Sequence, residues 1–164
     1  MKVQDVMNYD VHTCRPDTDL AMAAMQMWDG DFGFLPVVDG RKVVGVITDR
    51  DICMATAMKR RDPGTIRVDE VMTGQVFASS PDTDISRALE IMRKNQVRRL
   101  PIIDVIEQRL AGILSLNDLA LKAQSADNPE LSARDVEETM RAICAHRSPK
   151  PVAVPFEPVP QLAA

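Results

Sequence analysis

Apolar residues along this chain follow two periods, and the order of the periods repeats. Leu20, Ala23, Ala24 and Met27 fall three and four apart, as do Ile85, Ala88, Leu89 and Met92, which predicts two helices with one apolar face each. Aspartate and threonine clusters stand before both, Pro16-Asp17-Thr18-Asp19 and Pro81-Asp82-Thr83-Asp84, where they can cap the first turn. The runs FLPVV and RLPII come next, each followed by a polar turn (Asp39 to Lys42; Glu107 to Arg109) and by a second run, VVGVI or LAGIL. Short β-branched runs on either side of a turn predict two hairpins. A further helix closes each unit, Asp51 to Met58 and Asp118 to Gln124, so each reads as a short strand, a helix, two strands and a helix.

The two units also match residue by residue. Val3 to Met7 (VQDVM) lines up with Val68 to Met72 (VDEVM), Leu35 to Asp39 (LPVVD) with Leu100 to Asp104 (LPIID), and GVITDRD at 45–51 with GILSLND at 112–118. The second copy carries two extra residues before Gly112, which places an insertion in its hairpin loop. A unit of roughly 60 residues buries too little surface to be robust alone. The expectation is therefore an α+β fold: two pseudo-twofold-related β-α-β-β-α repeats, residues 1–62 and 63–125, packed sheet to sheet about a Pro63-Gly64 turn. Beyond them, Ser125 to Pro129 reads as a loop. Leu131, Val136, Met140, Ile143 and Cys144 predict an amphipathic helix led in by Ser132, and the proline-rich SPKPVAVPFEPVPQLAA reads as an extended arm.

Composition narrows the function classes. A net charge of -4 gives no reason to expect nucleic acid or an anionic membrane as partner. Cys14, Cys53 and Cys144 are odd in number and widely spaced, and only His12 and His146 could join them, so neither a disulfide framework nor a metal site is expected. The polar start MKVQDVMNYD has no signal-peptide core and no run approaches a membrane span, which makes the cytoplasm the expected compartment. No nucleophile, base and orienting group stand in a recognisable order, and a catalytic role is not expected.

Candidate chemistry lies in the repeated heptapeptide. Gly45 or Gly112 near the end of a strand allows close approach to the backbone, Thr48 or Ser115 offers a hydroxyl, and Asp51 or Asp118 a carboxylate one turn later. A carboxylate can accept from two ribose hydroxyls, while a hydroxyl and free helix-start amides suit a phosphate. The plainer reading is a capping box with the hydroxyl at N-cap and aspartate at N3, and the two roles can coexist. Arg98 and Arg99 precede Leu100, where alternation turns one toward the inter-repeat cleft, with a guanidinium suited to phosphate; otherwise they are a solvated surface pair. The first repeat has Gly33 and Phe34 there, which leaves Arg50, the helix start or arginines of the other repeat for a phosphate on that side.

These motifs together resemble the CBS domain, arranged as a tandem pair or Bateman module of the stand-alone bacterial type, over Val3 to about Lys122. The resemblance implies clefts between the repeats that bind AMP, ADP or ATP, with NAD or S-adenosylmethionine as further candidates, and no obligatory cofactor. It implies ribose contacts at Asp51 and Asp118, ribose or phosphate contacts at Thr48 and Ser115, and phosphate contacts at Arg98 and Arg99. Strand residues Val11 to Thr13 and Val76 to Ala78 would flank adenine, although Ala78 lacks the hydroxyl of Thr13. Such a module signals to a regulated protein through its shape; the alternative is a ligand-independent dimerisation scaffold. Met22 and Met25 occupy the outer face of the first helix where the second repeat has Arg87 and Glu90, and Ile52 to Met58 is apolar nearly all round, which predicts a homodimer through the first-repeat helices. The rival expectation is that the helix bearing Val136, Met140 and Ile143 folds back over that patch.

Overall fold

The structure, a computed structural model, describes residues 1–123 and 131–145. Its elements are α1 (Leu20–Asp29), β1 (Phe34–Asp39), β2 (Lys42–Thr48), α2 (Asp49–Lys59), α3 (Ile85–Asn95), β3 (Arg99–Asp104), β4 (Arg109–Ser115), α4 (Leu116–Ala123) and α5 (Ala133–Cys144). The strands form two antiparallel hairpins, each with a register shift at the same place, between Val37 and Val38 and between Ile102 and Ile103. Asp39 pairs with Lys42 across Gly40 and Arg41, whereas Asp104 pairs with Arg109 across four residues, so the two-residue insertion falls in the second hairpin loop. Gly40 takes a positive φ of 60°, which the tight first turn requires. The hairpins meet through β2 and β4.

Three expectations are corrected here. The opening strand of each repeat shrinks to one bridging residue, Cys14 beside Val37 and Ser79 beside Ile102, because only the backbone of that residue reaches the hairpin. Cys14 N donates to Pro36 O at 3.1 Å, and Ser79 N to Pro101 O at 3.1 Å. The closing helices begin two residues early, at Asp49 and Leu116, which puts Asp51 and Asp118 inside the first turn. Asp19 caps α1 by accepting from Met22 N at 2.8 Å, but Asp84 does not cap α3, since its carboxylate is drawn to Lys2 Nζ at 2.8 Å. The expected end of the last repeat helix at Gln124, the loop from Ser125 to Pro129, His146 and the proline-rich arm lie outside the described residues.

Burial divides the chain into two cores that do not follow chain order. Val3 and Met7 join Ile85, Leu89, Met92, Leu100 and Leu114 in the second-repeat core. Ile66 and Val68 join Leu20, Ala23, Met27, Leu35 and Ile47 in the first. Each VxxVM segment is thus seated in the other repeat, and its backbone is fixed there in the same way. Val3 N donates to Thr83 O at 2.9 Å and Val68 N to Thr18 O at 2.8 Å. Asn8 and Ile113 exchange both backbone hydrogen bonds, at 2.8 and 2.9 Å, as Thr73 and Val46 do at 2.9 and 3.0 Å. The prolines and aspartates of PDTD therefore lie along the strip on which the opposite segment docks.

The last helix settles the rival expectation for the methionine patch. α5 packs on α3 and α4 of the second repeat, not on the first-repeat helices, with Leu131, Val136 and Ile143 joining the second core. Its fully buried Thr139 accepts from Arg93 at 3.1 Å and donates to Asp135 O at 2.7 Å. Capping by Ser132, which accepts from Asp135 N at 3.2 Å, starts the helix where the sequence placed it.

Ile66 is fully buried, so Ile66→Ala should lower the unfolding free energy by roughly 2–5 kcal/mol in a denaturant titration. Hydrogen exchange should then quicken first in α1 and β2, although Ile66 lies beyond the inter-repeat turn.

Candidate functional site

β2 and β4 each end in a hydroxyl residue that starts a helix, and the local geometry of the two copies is nearly superposable. Thr48 N and Oγ1 donate to Asp51 Oδ2 at 3.0 and 2.7 Å, while Asp51 N donates back to Thr48 Oγ1 at 3.2 Å. Ser115 N and Oγ donate to Asp118 Oδ2 at 2.8 and 2.6 Å, and Asp118 N returns 3.2 Å to Ser115 Oγ. The capping box is therefore realised twice, and it satisfies helix-start amides that would otherwise lack partners. In both copies only Oδ2 is engaged, leaving Oδ1 without a hydrogen-bond partner among the described residues. Each carboxylate is half-buried, with one oxygen fixed by its capping box.

The glycines act at the seam between repeats. A Cβ on Gly112 would stand 2.8 Å from Asn8 O and 3.0 Å from Met7 Sδ; one on Gly45 would stand 2.6 Å from Met72 Sδ and 3.1 Å from Thr73 O. The close approach that each glycine permits is made by the exchanged segment of the chain itself.

The arginines separate as strand alternation requires. Arg98 is exposed, and Arg99 is half-buried with its guanidinium 6.0 Å from the centroid of the Phe34 ring in the other repeat. Arg50, Arg98 and Arg99 form no ion pair among the described residues. Arg99 lines a cavity of about 440 Å³ that opens between α1 and α2, with Trp28, Asp31, Gly33, Asp49 and Cys53 among its other walls. Asp118 lines another of about 310 Å³ with Asp5, Val6, Leu121 and Lys122. Neither of these two cavities is lined by Val11, Thr13, Val76, Ala78, Thr48, Asp51 or Arg50.

Trp28, Asp31 and Asp49 escaped the sequence reading. Asp49 sits within the quoted motif, and only the fold brings its carboxylate over Gly33, where a Cβ would lie 2.5 Å from Oδ2. Among the described residues no cluster of three His, Cys, Asp or Glu side chains could hold a metal ion, and no helix is long and apolar enough to cross a membrane.

Comparison with known proteins fits this architecture. The CBS-domain family model matches twice, at residues 3–57 and 68–124, and the chain belongs to that family as a tandem CBS pair. It is 36% identical over 126 residues to the CBS domain-containing protein YhcV of Bacillus subtilis, covering 77% of this chain and 88% of that one. It is 30% identical to hypoxic response protein 1 of Mycobacterium tuberculosis over 87% of this chain and 93% of the relative. Among solved structures, the CBS pair of protein MJ0100 in complex with 5-methylthioadenosine and S-adenosyl-L-methionine superposes with a TM-score of 0.67 at 25% identity, over 74% of this chain and 94% of that one.

Thr48→Ala and Ser115→Ala should each cost about 1 kcal/mol of stability through loss of the cap, read as a fall in Tm. The double variant should lose about the sum if the two boxes act independently.

Proposed function

We propose that this CBS pair is an adenosine-nucleotide-sensing regulatory module. In this reading AMP, ADP, ATP or a related adenosyl ligand such as NAD or S-adenosylmethionine binds at the seam between the repeats. Asp51 and Asp118 take the ribose hydroxyls, with Thr48 and Ser115 beside ribose or phosphate. Arg98, Arg99 and Arg50 take the phosphate oxygens, and the Val11–Thr13 and Val76–Ala78 segments flank adenine near Gly45 and Gly112. The observation that carries the proposal is the duplicated carboxylate with one oxygen committed to the capping box and the other left open, on both sides of a pseudo-twofold. Three arginines without ion pairs nearby and the adenosyl ligands of the MJ0100 pair support it. The module acts as a homodimer through α1 and α2 of the first repeat, and ligand biases the angle between repeats, which changes the surface offered to a regulated protein. The free thiols Cys14, Cys53 and Cys144 are consistent with a reducing cytoplasm.

A thermal-shift panel of AMP, ADP, ATP, NAD, S-adenosylmethionine and cyclic dinucleotides tests the reading, because a ligand at a hundred times its Kd adds about 2.7 kcal/mol. At least one adenosyl ligand should raise Tm; a flat panel leaves the pair as a ligand-independent scaffold. Asp51→Ala and Asp118→Ala should each weaken binding by about tenfold or more in calorimetry, since a hydrogen bond to a charged group is worth about 1.5–3 kcal/mol. Arg98→Glu and Arg99→Glu should weaken nucleotide more than adenosine, and equal losses would remove the phosphate role.

A further inference from the structure

The cavity of about 440 Å³ between α1 and α2 breaks the likeness of the two repeats. At two of its matching positions the second repeat has Leu89 and Leu116, both buried in its core. The first repeat has Ala24 and Asp49 there, so apolar volume is missing from the hollow and a carboxylate stands in its wall. A hollow where the other unit is filled lacks packing partners, and its size suits a small molecule.

The walls are of three kinds. Met27 and Ile52 are buried and with Ala24 form an apolar floor. The Phe32 ring is pressed on Gly30, where a Cβ would overlap it, and stacks on His12 with centroids 5.1 Å apart, while Trp28 stands at the rim, 86% exposed. The third kind is charged, and each member is held by contacts of its own. Asp49 Oδ1 accepts from Arg50 N at 2.7 Å, Asp31 closes α1 in the left-handed region at a φ of 52°, and the Arg99 guanidinium lies 6.0 Å from the Phe34 ring centroid. Asp31, Asp49 and Arg99 line one space, yet none of them joins an ion pair among the described residues. Charges of both signs that face one cavity without meeting each other match a ligand that carries both.

We propose that this cavity binds a zwitterionic α-amino acid with an apolar side chain. Arg99 takes the carboxylate in its fork, and the ammonium, with three donors, is shared by Asp31 and Asp49. The side chain lies on Ala24, Met27 and Ile52, with the Trp28 indole over it. Two aspartates repel a ligand that is only anionic, which sets this site apart from one for phosphate. Asp51 and Asp118 do not line it, and Arg99 is the residue it shares with the proposed nucleotide site.

Calorimetric titration of the full chain with L-leucine, L-methionine and L-phenylalanine, without nucleotide, tests the proposal, and emission from Trp28, the single tryptophan, gives a second readout. At least one of the three should bind and shift the emission. For that amino acid, the amine lacking its carboxylate and the acid lacking its ammonium should each bind roughly tenfold more weakly or worse. Asp49→Asn and Asp31→Asn should each weaken binding by a similar factor, and asparagine tolerates the left-handed backbone at 31, so that variant serves if the other fails to fold. Gly33→Ala should weaken it too, because its Cβ displaces the Asp49 carboxylate. A chain that binds none of the three overturns the proposal. An amine that binds as tightly as the amino acid leaves a plain cation site and overturns the zwitterion, and binding that ignores both asparagine variants overturns the location. Each of these failures leaves the nucleotide reading standing, since that is tested at Asp51 and Asp118.

Discussion

Everything in this molecule depends on an exchange of short apolar segments between two half-size units. Val3 and Met7 complete a core made from residues 85 to 131, and Ile66 and Val68 complete one made from residues 14 to 52. Neither core closes without a piece supplied by sequence outside it, which is how units this small reach adequate burial. The exchange also couples them, since the backbone bridges Asn8–Ile113 and Val46–Thr73 tie each segment to the last strand of the other repeat.

That seam positions the candidate site. Gly45 and Gly112 are buried under the exchanged segments, so β2 and β4 are held at their centres and deliver Thr48 and Ser115 to the same relative place in each repeat. The capping boxes then aim Asp51 and Asp118. The two repeats are joined there by reciprocal backbone hydrogen bonds and by apolar segments exchanged between their cores.

The repeats have diverged most on their outer helices. In the second, charged Arg87 and Glu90 face water and α5 covers the rest; in the first, methionines and Trp28 stand at the matching places. Many buried positions of the two cores correspond, Leu20 with Ile85, Ala23 with Ala88, Met27 with Met92, Leu35 with Leu100 and Ile47 with Leu114, whereas Leu131, just before α5, belongs to the second core alone. Burial keeps the inner faces alike, because any change of volume there is felt, and leaves the outer faces open to change.

The sequence alone determined the two repeats, their helices and hairpins, the loop insertion, the Ser132-led helix and the family, because period, turn chemistry and internal register are local properties of the chain. The capping role of Thr48 and Ser115 was legible for the same reason. Only the tertiary structure decided that Val3 serves the second core and Val68 the first, that α5 lies on the second repeat and not over Met22 and Met25, and that Arg99 reaches Phe34 across the seam. An apolar pattern states that a face will be buried but not against what, since hydrophobic burial is non-directional and the choice of partner is made by shape and by the backbone hydrogen bonds that the assembled chain can satisfy.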